Sequence, residues 1–297
     1  MIRLGLCCVF HREPIRFRRA TAAAMSRFAP AERRARLAAI CMANAGALSR
    51  AIAYCGGHGI GCFRVNSQIL PLKTHPRLGY TMDDLPGGDD IRRAFRECGR
   101  QARGNGLRLT FHPDQFVVLN SPTPAVVKAS IAELVCQAEV AGWIGADVIN
   151  IHGGGGYGDK PAALERLQAA IMDLPAAIRR RLALENDERV YTPSDLLPIC
   201  RTTGVPLVYD VHHHRCNPDG LTIRAATSRA TATWNREPLF HISSPRAGWR
   251  GPRASRHHEF IMVRDFPCEW LGLSITVEVE AKAKEMAVLR LARALRT

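Results

Sequence analysis

The chain has 297 residues, 46% of them apolar, and its 41 Lys and Arg against 27 Asp and Glu leave a net charge of +14. This length suits one α/β barrel, and the ordinary apolar content suits a soluble globule, not a disordered or membrane-spanning chain. So basic a field favours a polyanionic partner, nucleic acid first.

The opening MIRLGLCCVF is apolar but short, and reads as strand one over 2–9, not as a signal peptide. The basic loop REPIRFRR (12–19) follows, then a helix over 30–54 entered at Pro30 and rich in Ala, Arg and Leu. GGHGIG breaks it before strand two (61–66). A loop over 67–87 with Pro71, His75 and Pro76 leads to a helix over 88–103, stopped by Gly104–Gly106. Strand three (107–111) runs into HPDQFVVLNSP, where Pro113 and Pro122 preclude regular helix. A helix over 124–143, strand four (147–151) and the turn HGGGGYGDK come next. Pro161 starts a helix over 161–180, followed by strand five (181–185). Pro193 starts another behind the cap Thr192. Strands six (206–211), seven (238–242) and eight (274–279) precede a closing helix in AKAKEMAVLRLARALR. Eight strand–helix units without a Gly/Ser linker predict a single (β/α)8 TIM-barrel domain over 1–297. A doubly wound open sheet is the alternative.

Most of these strands end in a group that binds metals or handles protons: His112, His152, Glu185, Asp210 through His214, His241, Glu280 and, more weakly, Asn66. Parallel barrels gather their active sites at that end. A single strand-end histidine is more often structural, and the run His212–His214 also suits a solvated loop. If strand six continues, alternation turns Asp210 and His212 one way and His213 the other. Glu185 and Glu280 are harder to dismiss, because a carboxylate ending an apolar strand needs a cation or a donor. The set mixes N and O ligands without thiolate, which suits Zn²⁺, Mn²⁺ or Fe²⁺. It is too large for one ion, so two or three are expected, the usual device for phosphodiester hydrolysis. HGGGG (152–156) reads as a tight turn that frees His152, with a phosphate cradle as the alternative. Arg246, Arg250 and Arg253 are candidate phosphate contacts, and Trp249 among them is a candidate to stack on a base. The ten cysteines contain no C-x-x-C pair, so buried free thiols in a reducing cytosol are expected.

Nine blocks carry a further likeness: RLGLCC, FRVNSQILPLKTHP (63–76), FHPDQFVVLNSP (111–122), NIHGGGGYGDK (150–160), LALENDER (182–189), DVHHHRCNP (210–218), HISSPR (241–246), HHEFI (257–261) and VEAKAKE (279–285). In order and together, they resemble the UV damage endonuclease family, metal-dependent (β/α)8 enzymes similar in design to endonuclease IV. The resemblance implies metal ligands at His75, His112, His152, Glu185, Asp210, His213, His241, His257 and Glu280. His75 and His257 come only from it, and His258 competes with His257 for the assignment. Glu185 would bridge two ions, and Glu185, Glu280 and His241 would serve catalysis. Gln115 and Phe116 would wedge into duplex DNA, with Arg246, Trp249 and Arg250 as further DNA contacts. The implied activity is a nick 5′ to UV photoproducts and other distorting lesions by a metal-activated hydroxide, leaving a 3′-hydroxyl. Two to three divalent ions are implied, Mn before Zn, Mg or Fe, in a cytoplasmic monomer that acts at the bacterial nucleoid and touches no membrane. Three positions depart from the family pattern. Leu239 stands where a carboxylated lysine is frequent, Leu6 where some members have an aromatic, and Phe116 where Tyr is common. Two rivals remain: a sugar isomerase or epimerase on the same barrel, and a damage-binding protein with weakened turnover.

Overall fold

The computed structural model describes residues 2–295. Eight parallel strands close on themselves in sequence order: β1 (Ile2–Cys7), β2 (Cys62–Val65), β3 (Arg108–Phe111), β4 (Val148–His152), β5 (Leu182–Glu185), β6 (Leu207–Asp210), β7 (Leu239–Ile242) and β8 (Ile275–Val279). β8 pairs with β1, which closes the barrel and rules out the open sheet. The strands are buried on both faces, inward by the barrel lumen and outward by helices, which is why they read as nearly unbroken apolar runs.

Ten α-helices occur among the described residues: α1 (Ala22–Met25), α2 (Pro30–Gly57), α3 (Gly88–Gly104), α4 (Pro124–Ile144), α5 (Lys160–Asp173), α6 (Ala176–Arg179), α7 (Pro193–Thr203), α8 (Val211–Cys216), α9 (Ile223–Thr231) and α10 (Glu285–Ala294). The expected helix over 161–180 is two helices, because Pro175 forces Leu174 into an extended conformation (φ −65°, ψ 143°). α9, not expected, is capped by the Thr222 side chain. The closing helix starts only at Glu285, since Lys282 and Ala283 donate to the carbonyls of His258 and Glu259 instead. By length and composition α2 is apolar enough to cross a membrane, but half of that stretch is buried inside the fold, as in a core helix.

The barrel lumen is layered, and the layering positions the site. Val148, Ala183, Val208 and Leu239 form a small apolar cluster, with Trp234 packed against it. Two residues further along the same strands stand Asn150, Glu185, Asp210 and His241, which point the same way. An apolar floor thus lies directly under a polar layer at the C-terminal ends of the strands. Leu239 belongs to the floor, and Leu6 is wholly buried.

The basic loop after β1 is held by buried side chains. Glu285 accepts from the backbone N–H of His11 (2.7 Å), Arg12 (2.6 Å) and Glu13 (3.3 Å). Asn44 accepts from Arg18 N and donates to the carbonyls of Arg18 and Ile69. Ile15 and Phe17 turn toward the core, which leaves the loop's arginines outward. All ten cysteines are free; seven are buried, Cys8 and Cys216 half-buried, and Cys268 exposed. Burial raises the thiols of Cys41 to about 11 and of Cys55 to about 12.

Candidate metal centre

Glu185 ends β5 and is 1% exposed. Asn150 donates to its Oε2 (2.5 Å), and His112 Nε2 and His152 Nε2 lie 3.0 and 3.9 Å from the same atom. His241 Nδ1 and His213 Nδ1 lie 2.9 and 3.5 Å from Oε1. One carboxylate therefore stands among four imidazoles supplied by four different strand ends.

β6 stops at Asp210, so the expected alternation does not apply. Asp210 Oδ1 caps α8 by accepting from His213 N (2.7 Å), and one helical turn brings His213 back over Asp210. His213 donates from Nδ1 to the Asn186 carbonyl (3.0 Å), which leaves Nε2 as its lone-pair end. His214 is structural, held between Tyr209 Oη (2.7 Å) and Asp219 (2.9 Å). Glu280, just past β8, has Oε1 3.6 Å from His241 Nδ1 and Oε2 3.8 Å from His257 Nδ1. His257 thus joins the group. His258 does not: its Nδ1 accepts from Phe260 N (2.9 Å).

Three overlapping triads result: His112, His152 and Glu185; Glu185, Asp210 and His213; Asp210, His241 and Glu280. Within each, the offered atoms lie within 4.8 Å of one another. Two observations test whether cations fit. Asp210 Oδ2 and His152 Nδ1 are buried without a hydrogen-bond partner, a costly state that a cation would relieve at the carboxylate. The donors are imidazole and carboxylate throughout, a set suited to divalent transition metals. Both fit divalent-cation binding.

His75 lies outside this group, contrary to expectation. Its Nδ1 accepts from the backbone N–H of Arg77 and Leu78 (3.2 Å each), and it lines a separate cavity of about 670 Å³ shared with Phe116. Trp249 also departs from expectation. It is half-buried, donates to Asp265 Oδ1 (2.8 Å), and packs its ring 5.1 Å from His212, so it braces the loop behind His212 and does not present a free stacking face. Gln115 and Phe116 do sit exposed at the tip of the β3 loop, and Phe116 is 79% exposed. The glycines after His152 serve packing: a Cβ on Gly154, at φ +91°, would fall 2.1 Å from Asn120 Oδ1. This favours the tight turn over the phosphate cradle. Asn66, the weak candidate, only caps its loop by accepting from Gln68 N.

A second cavity of about 470 Å³ opens beside Glu280 and His257. Arg246, Arg256, Lys282 and Lys284 line it. Arg250 is exposed on the same loop as Arg246. Sequence reasoning missed Arg256, Lys282, Lys284, Arg64, Asn150, Asn186 and Glu278. The available signal for Arg64 and Glu278 was a charge inside an apolar strand, as in CFRV and ITVEV.

Residues 2–297 match the family model described as UV-endonuclease UvdE. The chain belongs to the UvdE family. A UV DNA damage endonuclease of Deinococcus radiodurans is 36% identical over 97% of this chain and 94% of its own. The crystal structure of SacUVDE has a TM-score of 0.88 at 26% identity, covering 100% of this chain and 98% of that one. Endonuclease IV of Thermus thermophilus shares the fold, with a TM-score of 0.60 at 18% identity over 84% and 93% of the two chains.

The electrostatics of this UvdE centre predict its pH response. Burial opposes ionisation of Glu185, but His241 and His152, with hydrogen bonds from His112 and His241, hold its carboxyl well below the usual range. Glu280 is likewise depressed: burial opposes, while Arg64, His241 and His257 prevail. Burial disfavours charge on His213, but Asp210, Glu185 and Glu280 raise it to about 9. In cation-free protein the His213 contribution is fully present below its unfolded value of 6.5 and is lost as pH rises through about 9. The carboxylate contribution is present above the unfolded value of 4.5 and is lost as pH falls below it. Chelator-treated protein should therefore melt at progressively lower temperature from pH 6.5 toward 9. Divalent-cation affinity should rise over the same interval, because binding requires neutral imidazole. Thermal melts with and without chelator check both slopes.

Proposed function

We infer that this chain is a DNA repair endonuclease, and propose that it nicks duplex DNA 5′ to UV photoproducts and other distorting lesions, using two or three divalent cations with Mn²⁺ as the native choice. The observation that carries this reading is Glu185 among four imidazoles, next to a cavity lined by cationic side chains. The three triads would hold the cations, with Glu185 and Asp210 shared between neighbours and His257 completing the set at Glu280. When bound, such cations lower the pKa of water to near neutrality and offset charge on the phosphate. Asn150 and Asn186 orient the ligands, the first on Glu185 and the second on His213. Arg246, Arg256, Lys282 and Lys284 would seat backbone phosphates at the mouth, with Arg250 adding to the field. Gln115 and Phe116 would enter the duplex where a damaged step stacks poorly and opens at lower cost.

The deciding experiment is cleavage of a duplex carrying one defined photoproduct, assayed across Mn²⁺, Zn²⁺, Mg²⁺ and Fe²⁺. A single metal-dependent nick 5′ to the lesion, leaving a 3′-hydroxyl, is expected. Lesion binding without nicking under any metal would support the weakened-turnover alternative instead. The sugar isomerase reading is disfavoured, because a neutral sugar gives the cationic cavity nothing to neutralise. We propose further that the full chain works as one catalytic domain, as a monomer, in the cytoplasm at the nucleoid; the bacterial repair enzyme it resembles is consistent with this.

A further inference from the structure

Beside the ligand layer, β8 carries a carboxylate that the site described above does not use. Glu278 is 1% exposed and points into the barrel. The β7–β8 register sets it beside His241, and Gly5 on β1 makes room for it, since a Cβ there would fall 3.1 Å from Glu278 Cγ. Thr110 donates to its Oε1 (2.5 Å) and Arg64 Nε donates to its Oε2 (2.5 Å). Glu278 Oε2 also lies 3.1 Å from His241 Nε2.

Arg64 alone would answer the cost of burying this carboxylate. The contact with His241 is the informative one. His241 aims Nδ1 at Glu185 Oε1 (2.9 Å) and toward Glu280 Oε1 (3.6 Å), the side on which cations fit. Neutral imidazole offers a lone pair at Nδ1 only when its proton sits on Nε2. Two groups approach Nε2: Arg64 Nη2 at 3.0 Å and Glu278. Arg64 could donate to a bare Nε2, but its Nη2 already faces the carboxylates of Glu278 and Glu280, and a guanidinium cannot accept a hydrogen bond. Glu278 can. Two residues below His241 on its own strand stands apolar Leu239, which offers no substitute.

We propose that Glu278 is a positioning residue that holds His241 in the Nε2–H tautomer and so commits Nδ1 to the cation centre. This rests on the metal-dependent reading above. The test uses chelator-stripped full chain, titrated with Zn²⁺ and Mn²⁺, as parent, Glu278→Gln, Arg64→Met and Arg64→Met/Glu278→Leu. Comparing the last two isolates Glu278 without leaving a guanidinium unpaired. The double variant should bind the cations about 10–100-fold more weakly than Arg64→Met, the usual effect of losing a ligand's hydrogen-bond partner. Nitrogen-15 spectra of the Zn²⁺-loaded parent should show His241 protonated at Nε2. Equal affinity in the two variants, or an Nδ1–H signature in the loaded parent, would overturn the proposal. If the Arg64 variants do not fold, the nitrogen-15 spectrum of the Zn²⁺-loaded parent decides alone, with an Nδ1–H signature overturning the proposal. A parent that takes up no divalent cation would instead defeat the metal-dependent reading itself.

Discussion

Replacing Glu185 by Gln is expected to cut the nicking rate by at least about 10³-fold, the upper end of what removal of one preorganised polar group costs. Binding to damaged duplex should change by less than about tenfold, or roughly 1.4 kcal/mol. The shapes of the two side chains are nearly the same, so packing around the β5 end is preserved. The charge is not. Both Glu185 oxygens face imidazoles, and an amide offers one acceptor where two are needed. Turned toward Asn150, its NH2 would also oppose Asn150 Nδ2. Cation content should fall along with rate, read by elemental analysis of the purified variant. The cationic side chains of the second cavity lie on other elements, which is why binding should survive. Turnover near the parental rate would remove Glu185 from the reacting centre.

Phe116→Ala should weaken binding to a photoproduct duplex by about 1–3 kcal/mol, roughly 5–150-fold, the range for one base–aromatic contact. Undamaged duplex should be bound almost as before, because that affinity comes from phosphate contacts. The fold should not notice the change. Phe116 is 79% exposed, and exposed substitutions stay within about 0.5 kcal/mol. Its neighbours Val117 and Leu119 are buried and anchor the loop without it. Phe116→Tyr should behave as the parent. The readout is the ratio of damaged to undamaged affinity; an equal loss on both duplexes would mean that Phe116 contributes only general contact.

The barrel and the ligands at its strand ends were legible because both follow from short-range rules. A parallel strand buried on both faces is a run of apolar residues, and a charged or imidazole residue at its end stands out. Seven candidate ligands, from His112 to Glu280, could be read this way, and the structure brings them together. His75 could not be located by such rules, because it lies in a loop whose path is set by backbone hydrogen bonds such as Gly79 N to His75 O. The turn from β6 into α8 was hidden for a related reason. Asp210 serves as both strand end and helix cap, and nothing local to HHH announces the switch. Trp249 looked like a stacking residue by composition, but a distant aspartate, Asp265, claims its indole N–H. Arg64 and Glu278 each stand out as a charge inside an apolar strand, but their purpose shows only in the pair they form between strands far apart in the chain.

The distribution of thiols has a practical consequence. Cys268 is the exposed one, in the turn that leads into the N-terminal end of β8, whereas the ligands stand at the opposite rim. A maleimide dye should therefore attach at one defined place without engineered mutations, leaving the reactive face unobstructed. Labelled protein of native sequence could then be watched by single-molecule fluorescence on irradiated DNA.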